Sequence, residues 1–190
     1  MSAARVVTAT WVHCYGKIWS ENVRTMAQEV LDGEVLSNRV SLLEMLEVTL
    51  SFELEAGQPL NIGPDWRAAM HDAALEPQVD NYFVSEVMLC LDQLADSEDW
   101  QGGFQPQATV GPFIFDFLHE ATRTCITVEG LYCRRTHILK HRLIQRMDFD
   151  GEPHRAVVIG YWDWNRARTG DAQEWLGRAL KGDPRHLGDS

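Results

Sequence analysis

The chain of 190 residues is long enough for one domain with an extension and too short for a large multidomain assembly. Its composition, 45% hydrophobic and 24% charged, is that of a globular protein and excludes a disordered or fibrous chain. The formal net charge is -11. No apolar run approaches the roughly 18 residues that cross a bilayer, so we expect no membrane span.

The amino-terminal part of the chain has the apolar spacing of helices. Leu43, Leu46 and Leu50 recur three or four residues apart with acids between them, and Gly57 ends that pattern. Asp65 has the side chain of a helix N-cap. We therefore predict helices over residues 37–55, 65–76 and 80–95.

The rest of the chain alternates between short apolar strands and helices. The predicted elements are a hairpin of strands 110–118 and 125–130, a helix 136–147, a strand 156–160 whose end carries residues 161–165, and a last helix that starts at Thr169 or Asp171. This order predicts an α/β layer on a small mixed sheet.

Charge divides the chain as the element types do. Residues 1–107 carry five basic and seventeen acidic residues, and residues 108–190 carry twelve basic and eleven acidic ones. Such an asymmetry indicates two parts with different partners. We predict an acidic α-helical extension (1–78), an α/β domain (79–182) and a carboxyl-terminal tail (183–190).

The four cysteines are at positions 14, 90, 125 and 133. They form no CxxC pair and no Cys and His spacing typical of a zinc site. We therefore expect reduced thiols in an intracellular compartment, and no metal or other cofactor.

Four short motifs mark the α/β domain. In chain order they are Phe115-Asp116-Phe117, Val128-Glu129-Gly130, Thr136-His137-Ile138-Leu139-Lys140-His141-Arg142-Leu143, and Tyr161-Trp162-Asp163-Trp164. Together they resemble the RAP domain, an RNA-binding module at the carboxyl end of organellar RNA proteins. The resemblance covers residues 85–181. It implies a restriction-endonuclease-like fold, related to that of the PD-(D/E)xK nucleases.

The resemblance also implies where a nuclease would hold its metal. Those enzymes bind a divalent cation through an Asp on one hairpin strand and an acid on the next, because Mg²⁺ prefers hard oxygen ligands. Here the three positions are Asp116, Thr127 and Glu129. Thr127 places a neutral hydroxyl where the second anion belongs. We therefore predict a degenerate site without catalysis, in which the two acids are a remnant metal pair or are held by backbone and Arg neighbours.

Two groups of residues are candidates for RNA binding. The basic residues of helix 136–147 can pair with phosphates or form solvated ion pairs, and the aromatic residues after the third strand can stack on bases or pack against the last helix. The candidates are Arg135, Lys140, Arg142, Arg146, Tyr161, Trp162 and Trp164.

Three functions are compatible with these residues. The first is a noncatalytic RAP-type protein that binds organellar rRNA or mRNA, or is a subunit of an RNA-protein assembly such as the mitochondrial ribosome, with the plastid as the alternative compartment. The second is a metal-dependent nuclease, and the third is a protein-binding scaffold. The pairing of the candidate arginines distinguishes these functions. If every candidate Arg, including Arg166 and Arg168, is paired with Asp or Glu, the scaffold is favoured.

Overall fold

The computed structural model describes residues 2–75, 82–130, 137–149 and 152–182. The chain forms two compact units. The helical unit comprises Met1–Glu76 and Ile138–Met147, and the α/β unit comprises Pro77–His137 and Asp148–Ser190. The segment 138–147 therefore belongs with the amino-terminal helices, whereas the sequence indicated that it is part of the α/β domain. The predicted tail, 183–190, lies outside the described residues.

The helices are, in chain order, α1 (Ala3–Tyr15), α2 (Glu21–Leu31), α3 (Arg39–Leu54), α4 (Pro64–Leu75), α5 (Tyr82–Leu94), α6 (His137–Ile144), α7 (Tyr161–Ala167) and α8 (Ala172–Lys181). The strands are β1 (Gln105–Val110), β2 (Phe113–His119), β3 (Thr124–Glu129), β4 (Asp148–Phe149), β5 (Glu152–Pro153) and β6 (Arg155–Gly160). None of the helices in these ranges has the length and apolar composition of a membrane span.

Helix α3 is the central element of the helical unit, where it packs against α1 and α4. Asn38 begins it as the N-cap, because its side chain accepts a hydrogen bond from the backbone N–H of Ser41 at 3.1 Å. Apolar and polar side chains are both buried along this helix, among them Met45, Val48, Phe52, Glu44, Glu47 and Ser51. The helical unit thus contains carboxylates in its interior.

Helix α4 begins two residues earlier than predicted, at Pro64 rather than at Trp66 after a cap at Asp65. Proline is favoured at the first position of a helix, because its missing N–H has no partner to lose there. Asp65 therefore lies in the first turn, where its negative charge is stabilised by the helix dipole.

The sheet of the α/β unit has the strand order β1-β2-β3-β6. The first two pairings are antiparallel and β3 pairs with β6 in parallel, so the sheet is small and mixed, as predicted. The sequence missed β1 and began the first strand at residue 110. Gly111 has a φ of 56°, a conformation that glycine adopts without strain, so the chain turns back there and forms two strands.

One face of this sheet forms the core of the α/β unit. Helices α5 and α8 contribute to it, and the sheet contributes alternate residues, as the pleat requires. The buried side chains include Phe83, Val87 and Leu91 of α5, Phe117, Ile126, Val128, Val157 and Ile159 of the sheet, and Leu176 and Leu180 of α8.

The aromatic segment after β6 is a helix and does not continue the strand. Gly160 is the N-cap of α7, which begins at Tyr161. Residues three apart share one side of a helix, so Tyr161 and Trp164 both face the core while Trp162 is exposed. The sequence placed residues 161–165 at the end of the strand, whereas they form the first part of a helix.

Candidate functional site

The nuclease-like positions lie on neighbouring strands. Phe117 pairs with Ile126 between β2 and β3, and continuing this register places Asp116 opposite Thr127. Glu129 follows two residues later, on the same face of β3. Asp116, 2% exposed, and Thr127 are buried, and Glu129 is partly buried. The fold therefore places all three predicted positions on the sheet face opposite the core described above.

The Asp116 carboxylate has a structural contact. The backbone N–H of Val128 donates a hydrogen bond to its Oδ2 at 2.7 Å, and this bond is buried. The contact joins β2 to β3 at the point where the regular pairing of the two strands stops. The backbone thus holds this acid, although Asp116 lies in the middle of β2 and not at its end.

The other two positions differ in their chemistry. Burial raises the pKa of Glu129, so the ionised form of this carboxyl is disfavoured unless a nearby cation offsets the burial. Thr127 supplies only a hydroxyl. Among the described residues, no group of three or more His, Cys, Asp and Glu side chains is arranged to hold a metal ion.

Arg142 of α6 is part of the interior of the helical unit. Its guanidinium donates hydrogen bonds to the carbonyl oxygens of Cys14 at 2.6 Å and Tyr15 at 2.9 Å, at the carboxyl end of α1. It also contacts the buried carboxylate of Glu55 at 2.7 and 2.8 Å. A cation is favoured at a helix carboxyl terminus. The Arg142 side chain therefore stabilises the carboxyl end of α1 and also pairs with the acid at the end of α3.

The other basic residues of this segment are only partly available to an RNA. The guanidinium of Arg146 lies 3.3 Å from the same Glu55 carboxylate, although this side chain is half exposed. Lys140 is buried and its charge acts on the Glu47 carboxylate. Arg135 lies outside the described residues. The predicted basic face of helix 136–147 is thus turned, at Lys140 and Arg142, toward the acids of α3.

The aromatic residues divide between core and surface. Trp164 is buried and packs edge-on against Trp175 of α8, with ring centroids 6.2 Å apart. The prediction that at least one tryptophan packs against the last helix is confirmed. Tyr161 packs edge-on against Phe83 of α5. Trp162 is 66% exposed, and it is the member of the set that a partner can reach.

Glu86 of α5 connects this aromatic cluster to the arginines of α7. Its carboxylate accepts hydrogen bonds from Trp164 Nε1 at 3.1 Å and from Arg168 at 3.2 Å. Burial opposes ionisation, but these bonds, the one from the Tyr82 hydroxyl and the charge of Arg168 together lower the pKa of Glu86. Arg166 pairs with Asp163 on its own helix. Each candidate arginine in the described residues therefore contacts a carboxylate.

The sequence did not identify Glu47, Glu55 or Glu86 as important. A signal was present for the first two, since Glu47 lies in a helix whose apolar residues point in all directions and Glu55 caps that helix, so its acids cannot all reach solvent. Glu86 carried no such signal, because an acid on an amphipathic surface helix is usually solvated.

The net charges of the two units differ from those of the two parts into which the sequence was divided. The helical unit carries eleven acidic and eight basic residues, a net charge of -3, because α6 and the residues after it bring three cations to it. The α/β unit carries seventeen acidic and nine basic residues, a net charge of -8. The unit in which RNA binding was predicted is therefore the more acidic of the two.

Comparison of the chain with protein-family models and with curated proteins finds no match. The resemblance to the RAP domain therefore stays a prediction from the four motifs.

Proposed function

We propose that this protein is a noncatalytic, RAP-like subunit of an RNA-protein assembly. In this assembly it binds a basic protein partner and does not bind RNA directly. The observation that carries this proposal is the pairing of Arg142, Arg146, Arg166 and Arg168 with carboxylates. The proteins of such assemblies are commonly basic, because they neutralise phosphates. An acidic unit is complementary to them.

The electrostatics of the α/β unit argue against a direct grip on RNA. Binding to a polyanion depends on Lys and Arg that release counterions from phosphates. The α/β unit has a net charge of -8, and its exposed candidate arginines Arg166 and Arg168 are already paired with Asp163 and Glu86. The most deeply held guanidinium, that of Arg142, satisfies two backbone carbonyls and a buried carboxylate of the helical unit. Releasing it for a phosphate would remove the side-chain donor of the Tyr15 carbonyl and the closest cation of the buried Glu55 carboxylate.

The residues of the nuclease-like positions support the noncatalytic part of the proposal. Asp116 is buried and bonded to the Val128 backbone, and Thr127 has no charge. Neither offers a solvent-exposed carboxylate oxygen to a metal ion and the water that the ion would activate.

Two measurements on the full chain test the proposal. In the first, the purified protein is titrated with labelled organellar RNA at several salt concentrations. A grip on three phosphates of a single strand would give a slope of about -2 in log affinity against log salt. We expect no binding with such a slope, and a salt-dependent affinity would contradict the proposal.

In the second measurement, the tagged protein is purified from cells before and after RNase treatment. We expect a basic protein partner to remain bound after the RNA is removed. Loss of every partner on RNase treatment would show that RNA makes the contact. Fractionation of the same cells tests the proposed mitochondrial location against the plastid.

A further inference from the structure

We infer that the outward face of helix α5 is the docking surface, and that it binds a basic amphipathic helix of the partner protein. This inference rests on the proposed function and identifies the surface that performs it. We call the surface the α5 stripe and define it as Tyr82, Met88, Leu89 and Asp92.

The apolar part of the stripe lies opposite the core. Phe83, Val87 and Leu91 are the side of α5 that packs in the α/β unit. Tyr82 and Leu89 are seven residues apart, which places them about 20° from each other around the helix and about 10 Å apart along it. Tyr82 is 76% exposed and Leu89 is 62% exposed.

This exposure is unusual for one short helix. Single apolar residues on a surface need no explanation, but α5 has 13 residues and exposes Tyr82, Met88 and Leu89. The spacing of seven residues between Tyr82 and Leu89 matches two turns of a helix, and Met88 lies about 100° around the helix from Leu89. A helix laid along α5 would bring residues at every third or fourth position into contact with them, which is the usual way that a helix binds a helix face.

The acidic residues next to the apolar part of the stripe indicate that the partner segment is positively charged. Helix α5 contains no Lys or Arg, and Asp92 lies in its last turns, where the helix dipole disfavours an anion. Asp96 and Glu98 follow directly. All three acids are exposed, and among the described residues none has an ion-pair partner. Cations of a bound helix would offset both the unfavourable interaction of Asp92 with the helix dipole and the mutual repulsion of these acids.

Two neighbouring acids already form ion pairs, so the acids without a cationic partner can be located. Asp99 pairs with Lys181, and Glu86 with Arg168. The unpaired acids therefore lie at the carboxyl end of the stripe. The partner helix should have its apolar residues against Tyr82 and Leu89 and its Lys or Arg residues against Asp92, Asp96 and Glu98.

The same charges disfavour the other occupants. A second copy of this chain would bring an α/β unit of net charge -8 against another. RNA and an anionic membrane surface are repelled for the same reason. A basic protein segment is the occupant that satisfies both the apolar and the acidic part of the surface.

Photo-crosslinking in cells locates the surface. A benzophenone amino acid is placed at Leu89 of the tagged full chain, and a matched control carries it at Val12, an apolar residue of α1 that is 53% exposed. We expect an adduct at position 89 and not at position 12. The crosslinked peptide, mapped by mass spectrometry, should have apolar residues three or four apart with Lys or Arg beside them. An adduct with RNA, with a second copy of the chain or with an acidic segment would overturn the inference.

Binding of the partner identified in this way is then measured with purified proteins. Leu89→Asp should weaken the affinity by about tenfold or more, because it places a charge in the centre of an apolar contact. Asp92→Asn together with Asp96→Asn should weaken it and reduce its dependence on salt. Val12→Asp should leave it unchanged, and circular dichroism confirms that each variant is folded.

The outcomes separate this inference from the proposed function. If a basic partner survives RNase treatment but Leu89→Asp binds it as the wild type does, the α5 stripe is the wrong surface and the proposed function stands. If no basic partner survives RNase treatment, the proposed function itself fails.

Discussion

The carboxyl group of Glu47 should make the stability of the protein depend on pH. Burial raises its pKa from 4.5 to about 8. The hydrogen bond that Trp11 Nε1 donates to it at 2.5 Å and the positive charges of Lys140 and Arg142 act in the opposite direction, and Glu44 adds to the effect of burial. At neutral pH the group is therefore largely protonated in the folded protein and ionised in the unfolded chain.

The sign of the effect follows from which state binds the proton. Between pH 4.5 and about 8 the folded state retains a proton that the unfolded chain has released, so stability falls as the pH rises through this window. The penalty is absent below the lower value and complete above the upper one. At about 1.4 kcal/mol for each pH unit, the full change in the free energy of unfolding is about 5 kcal/mol.

The variant Glu47→Gln tests this reasoning. The amide keeps an oxygen that accepts the Trp11 hydrogen bond but has no titrating proton. Urea unfolding is followed by circular dichroism from pH 5 to pH 9 for the wild type, for Glu47→Gln and for the control Glu53→Gln, which changes an exposed acid of the same helix. We expect the stability of the wild type and the control to fall by several kcal/mol more than that of Glu47→Gln. Equal slopes for all three proteins would refute the burial of a protonated Glu47.

Three further outcomes are expected. Arg142→Met should lower the free energy of unfolding by about 3 to 5 kcal/mol in urea melts, because Glu55 loses its closest cation in the interior, whereas Arg146→Met, at a half-exposed position, should lower it by less than about 1 kcal/mol. Asp116→Ala should cost about 1 to 3 kcal/mol, because the Val128 N–H loses its acceptor. Wild-type protein should leave labelled RNA and DNA uncut in Mg²⁺ or Mn²⁺. Cleavage by the wild type that is abolished in Asp116→Asn would support the nuclease function instead.

Elements with a strong local signal were found from the sequence. Apolar spacing predicted α3 and α5. The last helix was predicted to start at Thr169 or Asp171, and the Asp171 side chain caps α8, accepting a hydrogen bond from the Glu174 N–H. The parallel strand β6 was found from its continuous apolar run. The class of the second unit, a small mixed sheet with helices, followed from the order of these elements.

The candidate site was predicted less well, because its residues were interpreted on the assumption that each faces solvent or a ligand. Arg142 was a candidate phosphate ligand by its position on a basic helix face, and the structure turns it toward Glu55, which lies 87 residues away in the chain. Trp162 and Trp164 are equivalent in the sequence motif, yet one is exposed and the other buried, since a helix and not a strand begins at Tyr161.

Local chemistry thus determined which segments are helices and strands, because periodicity and caps are set by neighbouring residues. The assignment of α6 to the helical unit, the burial of Glu47, and the unpaired acids beside the α5 stripe depend on contacts between residues far apart in the chain. Such contacts leave no local pattern, since the same Arg or Glu suits a solvated surface and an interior pair equally well. Only the tertiary structure decided between the two, and with it which charges remain for a partner.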